Sequence, residues 1–237
     1  MTAGQGASTK VYPLARMRWF NYRMAQFLTR GVLHAIMRVR TVRGEMPLIK
    51  GPFIIACTHP SHFDPFVLSV VVRRPIDWMA RIEFFRTKVS ATTLRLFNAF
   101  AVNRHGYALS ALRTAIRRLG EGRLVGICPE GGVARGMESA MRGGAIKRGV
   151  CLVARRAGVP VVPCIMLGTH TLINWESWLP LGRGRLYVAF GQPIWPRNHA
   201  PSRRAAREVM ARELEEAYQA LFAELRGKYQ LADSSLP

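Results

Sequence analysis

The chain has 237 residues, of which 49% are hydrophobic, and this length and composition exclude general disorder and allow one sizeable core. Its 35 lysines and arginines against 14 acidic residues give a formal net charge of +21. A surplus of this size predicts an anionic partner: nucleic acid, an anionic membrane surface or a phosphorylated substrate.

Three absences in the sequence bear on the cellular compartment. The four cysteines form no C-x-x-C pair, which speaks against a zinc site and fits free thiols in a reducing compartment. No signal-peptide pattern occurs at the N-terminus, and no apolar run is long enough to span a bilayer. We therefore expect a cytoplasmic protein, which can still lie on a membrane surface.

Residues 1–43 are predicted to form a disordered start followed by an amphipathic, basic helical segment. Residues 1–10 are small and polar, whereas from Pro13 to Arg43 apolar residues recur at helical spacing and continue past Gly31 to Met37. Arginines and aromatic residues are interleaved with them, and no acidic residue occurs. This pattern is typical of a helix or helical pair in a membrane interface; the alternative is an ordinary amphipathic helix packed on its own domain.

The middle of the chain, from about residue 52 to residue 192, alternates strand-like and helix-like segments. We predict strands at 53–57, 76–80, 124–129, 160–167 and 185–191, and helices at 66–73, 108–120 and 148–158. Residues 201–229 are predicted to form one long helix. The fold class is therefore α/β: a single domain with a central, mostly parallel sheet flanked by helices, its core at 44–200 and a C-terminal helix and tail at 201–237.

Three titratable side chains lie between two apolar segments in the sequence ACTHPSHFDPF, residues 56–66. The first predicted strand would deliver His59 to the edge of the sheet, where active sites of α/β proteins collect. Asp64 and Pro65 are typical of a helix start, so Asp64 is either the partner of a catalytic His59 or a helix cap. His62 is a rival for the role given to His59, and the spacing does not decide between them.

Four short segments in fixed order carry a family resemblance. They are HPSHFD at 59–64, NAFAVNR at 98–104, CPEGGVAR at 128–135 and VPVVP at 159–163. In this order and spacing they resemble the four blocks of the PlsC-type glycerolipid acyltransferases, and the resemblance covers roughly residues 44–196.

The resemblance implies acyl transfer from acyl-CoA or acyl carrier protein to the free hydroxyl of a lysolipid, in the first place 1-acylglycerol-3-phosphate. It implies that His59 acts as the general base, that Asp64 holds and orients its imidazole, and that Glu130 organises the site. Gly131 and Gly132 of the third block would lie against the substrate, with nearby backbone N–H groups stabilising the developing negative charge. No metal or cofactor is expected for this chemistry.

The third block departs from the usual family pattern, Pro-Glu-Gly-Thr-Arg, because this chain has Gly132 and Val133 in the last two positions. The arginine that helps to bind the acceptor phosphate is missing, so Arg81, Arg104 and Arg135 are the candidates to contact the anion. Their alternative role is a solvated basic face. The departure leaves open a different acceptor, such as a lyso-ornithine lipid, or a catalytically silent lipid-binding relative.

Nucleic-acid binding is the rival interpretation of the positive charge. The sequence contains no recognisable DNA- or RNA-binding motif, so no nucleic-acid partner is expected. The expected partners are a lysolipid, acyl-CoA or acyl carrier protein, and an anionic membrane surface. The expected location, in a bacterial cell, is the cytoplasmic face of the inner membrane, with the chain bound peripherally or monotopically.

Overall fold

The structure is a computed structural model, and it describes residues 13–42, 49–102, 108–173, 184–197 and 202–231. Within these ranges the helices are α1 (Pro13–Ile36), α2 (Asp64–Val71), α3 (Lys88–Leu96), α4 (Ala108–Gly120), α5 (Gly149–Ala157) and α6 (Arg203–Tyr229). The strands are β1 (Met37–Val42), β2 (Ile54–Cys57), β3 (Ile76–Arg81), β4 (Phe100–Val102), β5 (Leu124–Ile127), β6 (Val161–Leu167) and β7 (Gly184–Phe190).

The strands form one sheet in the order β1-β7-β6-β2-β5-β3-β4, with β2 at its centre. Strands β2 to β6 run parallel to one another, whereas β7 pairs antiparallel with β6, and β1 pairs parallel with β7. Every residue of β2, β5 and β6 is buried, because helices cover both faces, and this explains their continuous apolar sequences. The carboxyl ends of the five parallel strands meet at one edge of the sheet.

Successive residues of β2 point to opposite faces of the sheet and enter two separate cores. On one face, α4, α5 and α6 pack side chains such as Leu119 and Leu214 into a cluster that contains Ile54. On the other face, α1 and α2 contribute to a cluster in which Leu68 and Ile55 are fully buried. This arrangement confirms the predicted α/β class, with its mostly parallel central sheet, flanking helices and long C-terminal helix.

The chain leaves the first helix earlier than the sequence predicted. The helical prediction over residues 13–43 is wrong beyond Ile36, because Met37–Val42 form β1 and pair in register with Gly184–Ala189 of β7. That partner is distant in sequence, so the helical spacing of Ile36 and Met37 could not reveal it. Helix α3 and the three-residue β4 are not predicted from the sequence either. The proposed segment boundary at residues 43 and 44 lies outside the described residues and stays a prediction.

Helix α1 packs on the domain with one face and leaves the other exposed. Tyr22, Gln26 and Leu33 are buried, and Gln26 donates from Nε2 to the backbone oxygens of Ser69 at 2.5 Å and Val72 at 2.9 Å. Large apolar side chains lie on the exposed face: Trp19, Phe20, Met24, Phe27, Leu28 and Val32. The packed-helix alternative therefore applies to one face of α1 only. None of the helices within the described ranges is both long enough and apolar enough to cross a membrane.

The contact between Trp78 of β3 and Gly126 of β5 fixes the packing of two neighbouring strands. The two residues are register partners, and a Cβ on Gly126 would come within 3.0 Å of the indole ring. Trp78 donates from Nε1 to the Ser69 hydroxyl at 2.8 Å, which holds the ring in place. Gly126 is therefore required by the space that the indole fills.

We predict that Gly126→Ala lowers the free energy of unfolding by about 1–3 kcal/mol, because the added methyl group must displace a buried ring. Urea denaturation followed by circular dichroism measures the loss. Gly120→Ala is the matched control, since a Cβ at Gly120 meets no atom within 4 Å. Equal stability of the two variants would contradict this account of the packing.

Candidate active site

His59 and Asp64 form a hydrogen-bonded pair at the carboxyl edge of the sheet. The central strand β2 ends at Cys57 and α2 begins at Asp64, so a short turn brings the two side chains together. His59 Nδ1 lies 3.0 Å from Asp64 Oδ2, which also accepts the Ser61 backbone N–H at 2.8 Å. The Asp64 side chain is fully buried, whereas 14% of the His59 side chain is accessible. The imidazole therefore links a buried acid to the open side of the site.

The helix-cap alternative for Asp64 is wrong. The N-cap residue of α2 is Phe63, and no side-chain hydrogen bond caps the helix there. The Asp64 carboxyl group instead accepts its hydrogen bonds from the turn that precedes the helix, namely from Ser61 and His59. Asp64 therefore holds the histidine and its turn, while Pro65 lies at the second position of the helix, one residue later than predicted.

His62, the rival histidine, contacts Phe84 and, like His59, faces the cavity described below. Its ring meets Phe84 edge-on with centroids 5.6 Å apart, and its centroid lies 6.0 Å from that of His59. Burial, and then the charge of His59, lower the pKa of His62 below its usual value. Asp64 is hydrogen-bonded to His59, so the structure distinguishes the two histidines where their spacing in the sequence could not.

A second carboxyl group, Glu130, holds the backbone of His59. Glu130 follows β5, and its Oε2 accepts the His59 backbone N–H at 2.6 Å. Its Oε1 accepts the Ser139 hydroxyl and the Ala140 backbone N–H, each at 2.8 Å. Burial raises the pKa of Glu130, and these three hydrogen bonds oppose that effect. Both oxygens are engaged, so Glu130 joins the turn after β2 to the segment around residue 140.

The thiol of Cys128 shifts the pKa of the His59 imidazole. Cys57 ends β2, Cys128 follows the neighbouring β5, and their sulfur atoms are 3.4 Å apart. The hydrogen bond between the two thiols raises the pKa of Cys57 and lowers that of Cys128. Burial lowers the pKa of His59, but Cys128 and the bond to Asp64 outweigh it and raise the pKa above its usual value. His59 is therefore a stronger base than a free histidine.

A largely apolar cavity of about 640 Å³ opens beside His59. This volume is typical of small-molecule sites. Apolar side chains dominate its wall: Phe66, Trp78, Met79, Leu94, Phe97, Val102 and Leu112. His59, Cys128 and residues 131–133 also line it, so an extended apolar ligand can lie in the cavity with a reactive end beside the imidazole. In the part of the chain that the structure describes, no group of three or more His, Cys, Asp or Glu side chains is placed to hold a metal ion.

The arginines predicted to contact an anion fall in different places. Arg81 ends β3 and lines the cavity, with its Nε 3.5 Å from the Glu83 carboxyl group. Arg135 donates from Nε to the Pro60 backbone oxygen at 2.9 Å, so it fastens the turn that carries His59, and it is not among the residues lining the cavity. Arg104 lies outside the described residues.

Sequence reasoning missed two residues of this site, Cys128 and Lys147. Cys128 could have been noticed near the end of the strand predicted at 124–129, at the level where β2 ends in Cys57. Lys147 lines the cavity, and its side chain passes over Gly131, which has no Cβ and a φ of +81°. Its only signal in the sequence was its place downstream of the third block.

Comparison with known proteins places the chain in a family. A family model described as Acyltransferase matches residues 38–167. A 1-acyl-sn-glycerol-3-phosphate acyltransferase of Bacillus subtilis (strain 168) is 31% identical over 154 residues, which are 64% of this chain and 72% of that protein. A 1-acyl-sn-glycerol-3-phosphate acyltransferase of Chlamydomonas reinhardtii is 27% identical over 175 residues, which are 73% of this chain; the match spans about half of that protein, 51%.

A solved structure has the same fold. The crystal structure of the 1-acyl-sn-glycerophosphate acyltransferase PlsC from Thermotoga maritima matches with a TM-score of 0.64 and 20% sequence identity, over 90% of this chain and 84% of that chain. The family model covers more than half of the present sequence, and the Bacillus protein is matched over most of its length. The chain therefore belongs to the acyltransferase family, and within it to the PlsC type.

Proposed function

We propose that this chain transfers a fatty acyl group from acyl-CoA or acyl carrier protein to the free hydroxyl of a lysolipid, with 1-acylglycerol-3-phosphate as the principal acceptor. The observation that carries the proposal is the His59–Asp64 pair beside a largely apolar cavity. A base in this position suits a reaction in which an acyl chain is held while a hydroxyl group loses its proton. Membership of the acyltransferase family supports the reaction class, and the activity named for the Bacillus relative supports the acceptor.

His59 is the proposed general base. A hydrogen bond from Nδ1–H to Asp64 favours the tautomer whose Nε2 lone pair is free to take the proton of the acceptor hydroxyl. The acceptor oxygen then attacks the thioester carbonyl carbon, the C–S bond breaks, and the leaving thiolate takes the proton back from His59. Asp64 stabilises the imidazolium that exists between these two proton transfers.

Backbone N–H groups of the third block are the proposed donors to the thioester oxygen. Gly132 and Val133 line the cavity, and no acceptor within the described ranges is hydrogen-bonded to their backbone N–H groups. Donors that are already in place and not otherwise engaged are what a developing oxyanion requires. The N–H of Gly131 donates to the Cys128 oxygen at 3.0 Å, which closes the turn that presents its neighbours.

Glu130 is proposed to position His59 and to take no part in the proton transfers. Its two oxygens accept three hydrogen bonds, one of them from the His59 backbone. In addition, the Ala134 N–H donates to the His59 backbone oxygen at 3.0 Å. Both backbone polar groups of the proposed base are therefore held by the loop that follows β5.

The proposed place of action is an anionic membrane surface, where lysolipids are found, reached from the cytoplasm by acyl-CoA or acyl carrier protein. The exposed apolar face of α1 supports this proposal, since Phe27 is 72% exposed and Leu28 60%. The formal charge of +21 adds attraction to anionic lipids. In a bacterial cell the chain would bind peripherally or monotopically to the cytoplasmic face of the inner membrane.

Acyl transfer by the purified protein in mixed micelles tests the proposed function. Labelled acyl-CoA and acyl carrier protein bearing the same chain are offered with a panel of lysolipids. We expect transfer to 1-acylglycerol-3-phosphate. Transfer only to acceptors without a phosphomonoester, such as a lyso-ornithine lipid, would contradict the proposed acceptor, 1-acylglycerol-3-phosphate, but not the proposed acyl transfer. If folded, lipid-bound protein transfers no acyl group to any acceptor, the proposed enzymatic activity is contradicted and a catalytically silent lipid-binding relative is favoured.

The effect of Cys128 on the pKa of His59 gives a prediction for the pH dependence of the reaction. Only neutral His59 can accept a proton, so kcat/KM should rise with pH as the imidazolium loses its proton. Cys128→Ala removes a side chain that raises the pKa of His59, so the rising limb of the pH profile should move to lower pH. The matched control is Cys151→Ala, a buried cysteine of α5 that does not line the cavity. Superimposable pH profiles of kcat/KM for the wild type and Cys128→Ala would contradict the proposed effect of Cys128 on the pKa of His59.

We predict that replacing Phe20 and Phe27 together by glutamate removes most of the cosedimentation with vesicles that contain anionic phospholipid. Both side chains are mostly exposed, so the folded domain loses little packing, whereas a membrane interface would have to accommodate two carboxylates. Trp195→Glu is the matched control. Trp195 is 59% exposed, and its neighbour Ile194 pairs with Val161 at the opposite edge of the sheet from His59. If both variants lose vesicle binding equally, the assignment of membrane binding to the exposed face of α1 is contradicted.

A further inference from the structure

The wall of the cavity carries no cation at the position where the third block of the family has its arginine. Val133 occupies that position, and it lines the cavity beside Gly131 and Gly132. A phosphomonoester headgroup carries one to two negative charges and is bound in proteins by charged hydrogen-bond donors. If the acceptor is a lysophosphatidic acid, as proposed above, another residue of this chain must supply the charge.

Lys147 approaches the third block from the other side of the turn. Its backbone N–H donates to the Pro129 oxygen at 2.8 Å, which fixes the start of the side chain beside the block. The side chain then crosses Gly131, where an added Cβ would lie 2.5 Å from the Lys147 Nζ atom and 2.6 Å from its Cε atom. The ammonium group therefore lies next to the residue that follows Glu130, whose carboxyl group holds His59.

The charged groups around the site leave Lys147 available for a ligand. Lys147 and Arg81 are the lysine and arginine among the residues that line the cavity, and Arg81 is drawn towards Glu83. Arg148, the next residue along the chain, is paired with Glu208. No ion pair of Lys147 occurs in the described part of the chain, and the residue is exposed while also lining the cavity. An alternative role for Lys147 would be to neutralise the nearby Glu130 carboxylate. Both Glu130 oxygens already accept hydrogen bonds from other groups, so they do not require the lysine as a partner.

We propose that the ammonium group of Lys147 binds the phosphate of the lysolipid acceptor and compensates for the arginine that Val133 replaces. Lys147 is thus a substrate-binding residue that sets the preference for a phosphorylated headgroup, and it takes no part in the proton transfers at His59. This inference rests on the proposed acyl transfer to 1-acylglycerol-3-phosphate. A single ammonium group binds as a point charge and not as a bidentate fork, so Arg and Lys should be largely exchangeable at this position.

Steady-state kinetics of the full chain test the inference with four proteins: wild type, Lys147→Ala, Lys147→Arg and the matched control Lys50→Ala. Lys50 is exposed and precedes β2, so it lies at the opposite edge of the sheet from His59. We expect Lys147→Ala to raise the KM for 1-acylglycerol-3-phosphate by about 10- to 100-fold, with a smaller change in kcat. Lys147→Arg should retain most of the affinity, and Lys50→Ala should behave as the wild type.

The phosphates of acyl-CoA are the other anions that Lys147 could meet, so the KM for the donor is measured in the same proteins. A KM that rises for acyl-CoA and not for the acceptor would overturn the inference, as would an unchanged acceptor KM in Lys147→Ala. Both results leave the proposed function intact, because the wild type still acylates 1-acylglycerol-3-phosphate. A folded wild type that acylates a neutral lysolipid but not 1-acylglycerol-3-phosphate would overturn the inference and the proposed acceptor together.

Discussion

The buried carboxylate of Glu130 is the constraint on which the geometry of the site depends. It bonds to the backbone N–H of His59, a residue 71 positions earlier in the chain, and to Ser139 and Ala140 on its own side. Burying a carboxyl group is costly unless hydrogen bonds compensate. Here the three compensating hydrogen bonds come from the two loops that form the site, so they also hold those loops together. The parallel pairing of β2 with β5 brings the two loops to the same edge of the sheet, and Glu130 then fixes their relative position. That connection holds the turn that carries His59 against the loop that contains residues 131–133.

The two faces of α1 connect the fold to the proposed place of action. The inner face is specified by polar as well as apolar contacts, because Gln26 bonds to two backbone oxygens of the α2 segment and Tyr22 accepts the Ile76 N–H at 3.2 Å. Those bonds fix the rotation of the helix, so its aromatic and aliphatic side chains remain on the outside. The helix is thus oriented by the domain itself, and its apolar outer face does not depend on a lipid to be exposed.

Much of the sheet could be predicted from the sequence because its strands have local apolar patterns, whereas the roles of the site residues were predicted from the family resemblance. Strands β2, β5 and β6 are continuous apolar runs, and α6 repeats its apolar residues over its whole length. Strand β1 could not be predicted, because its six residues follow a helical pattern directly and are stabilised by β7, which is remote in sequence. Likewise, the choice between His59 and His62 is made by the geometry of one turn, and spacing alone carries no information about it.

Lys147 shows a different limit of sequence reasoning. In a chain with 35 lysines and arginines, composition cannot distinguish a cation beside the substrate from one that solubilises the surface. Only the fold reveals that residue 147 returns to the third block and crosses a glycine that leaves room for it. The same holds for Cys128, whose influence on His59 arises from the alignment of two strands.

The most direct test of the central claim is kcat for His59→Ala compared with the wild type, measured with the same donor and lysolipid in mixed micelles. The backbone bonds from His59 to Glu130 and Ala134 do not need the side chain, so the variant should keep the wild-type circular dichroism spectrum. The account predicts that kcat falls by about 10²- to 10⁴-fold, the usual contribution of a general base. A folded variant whose kcat stays close to that of the wild type would contradict the assignment of His59 as the base.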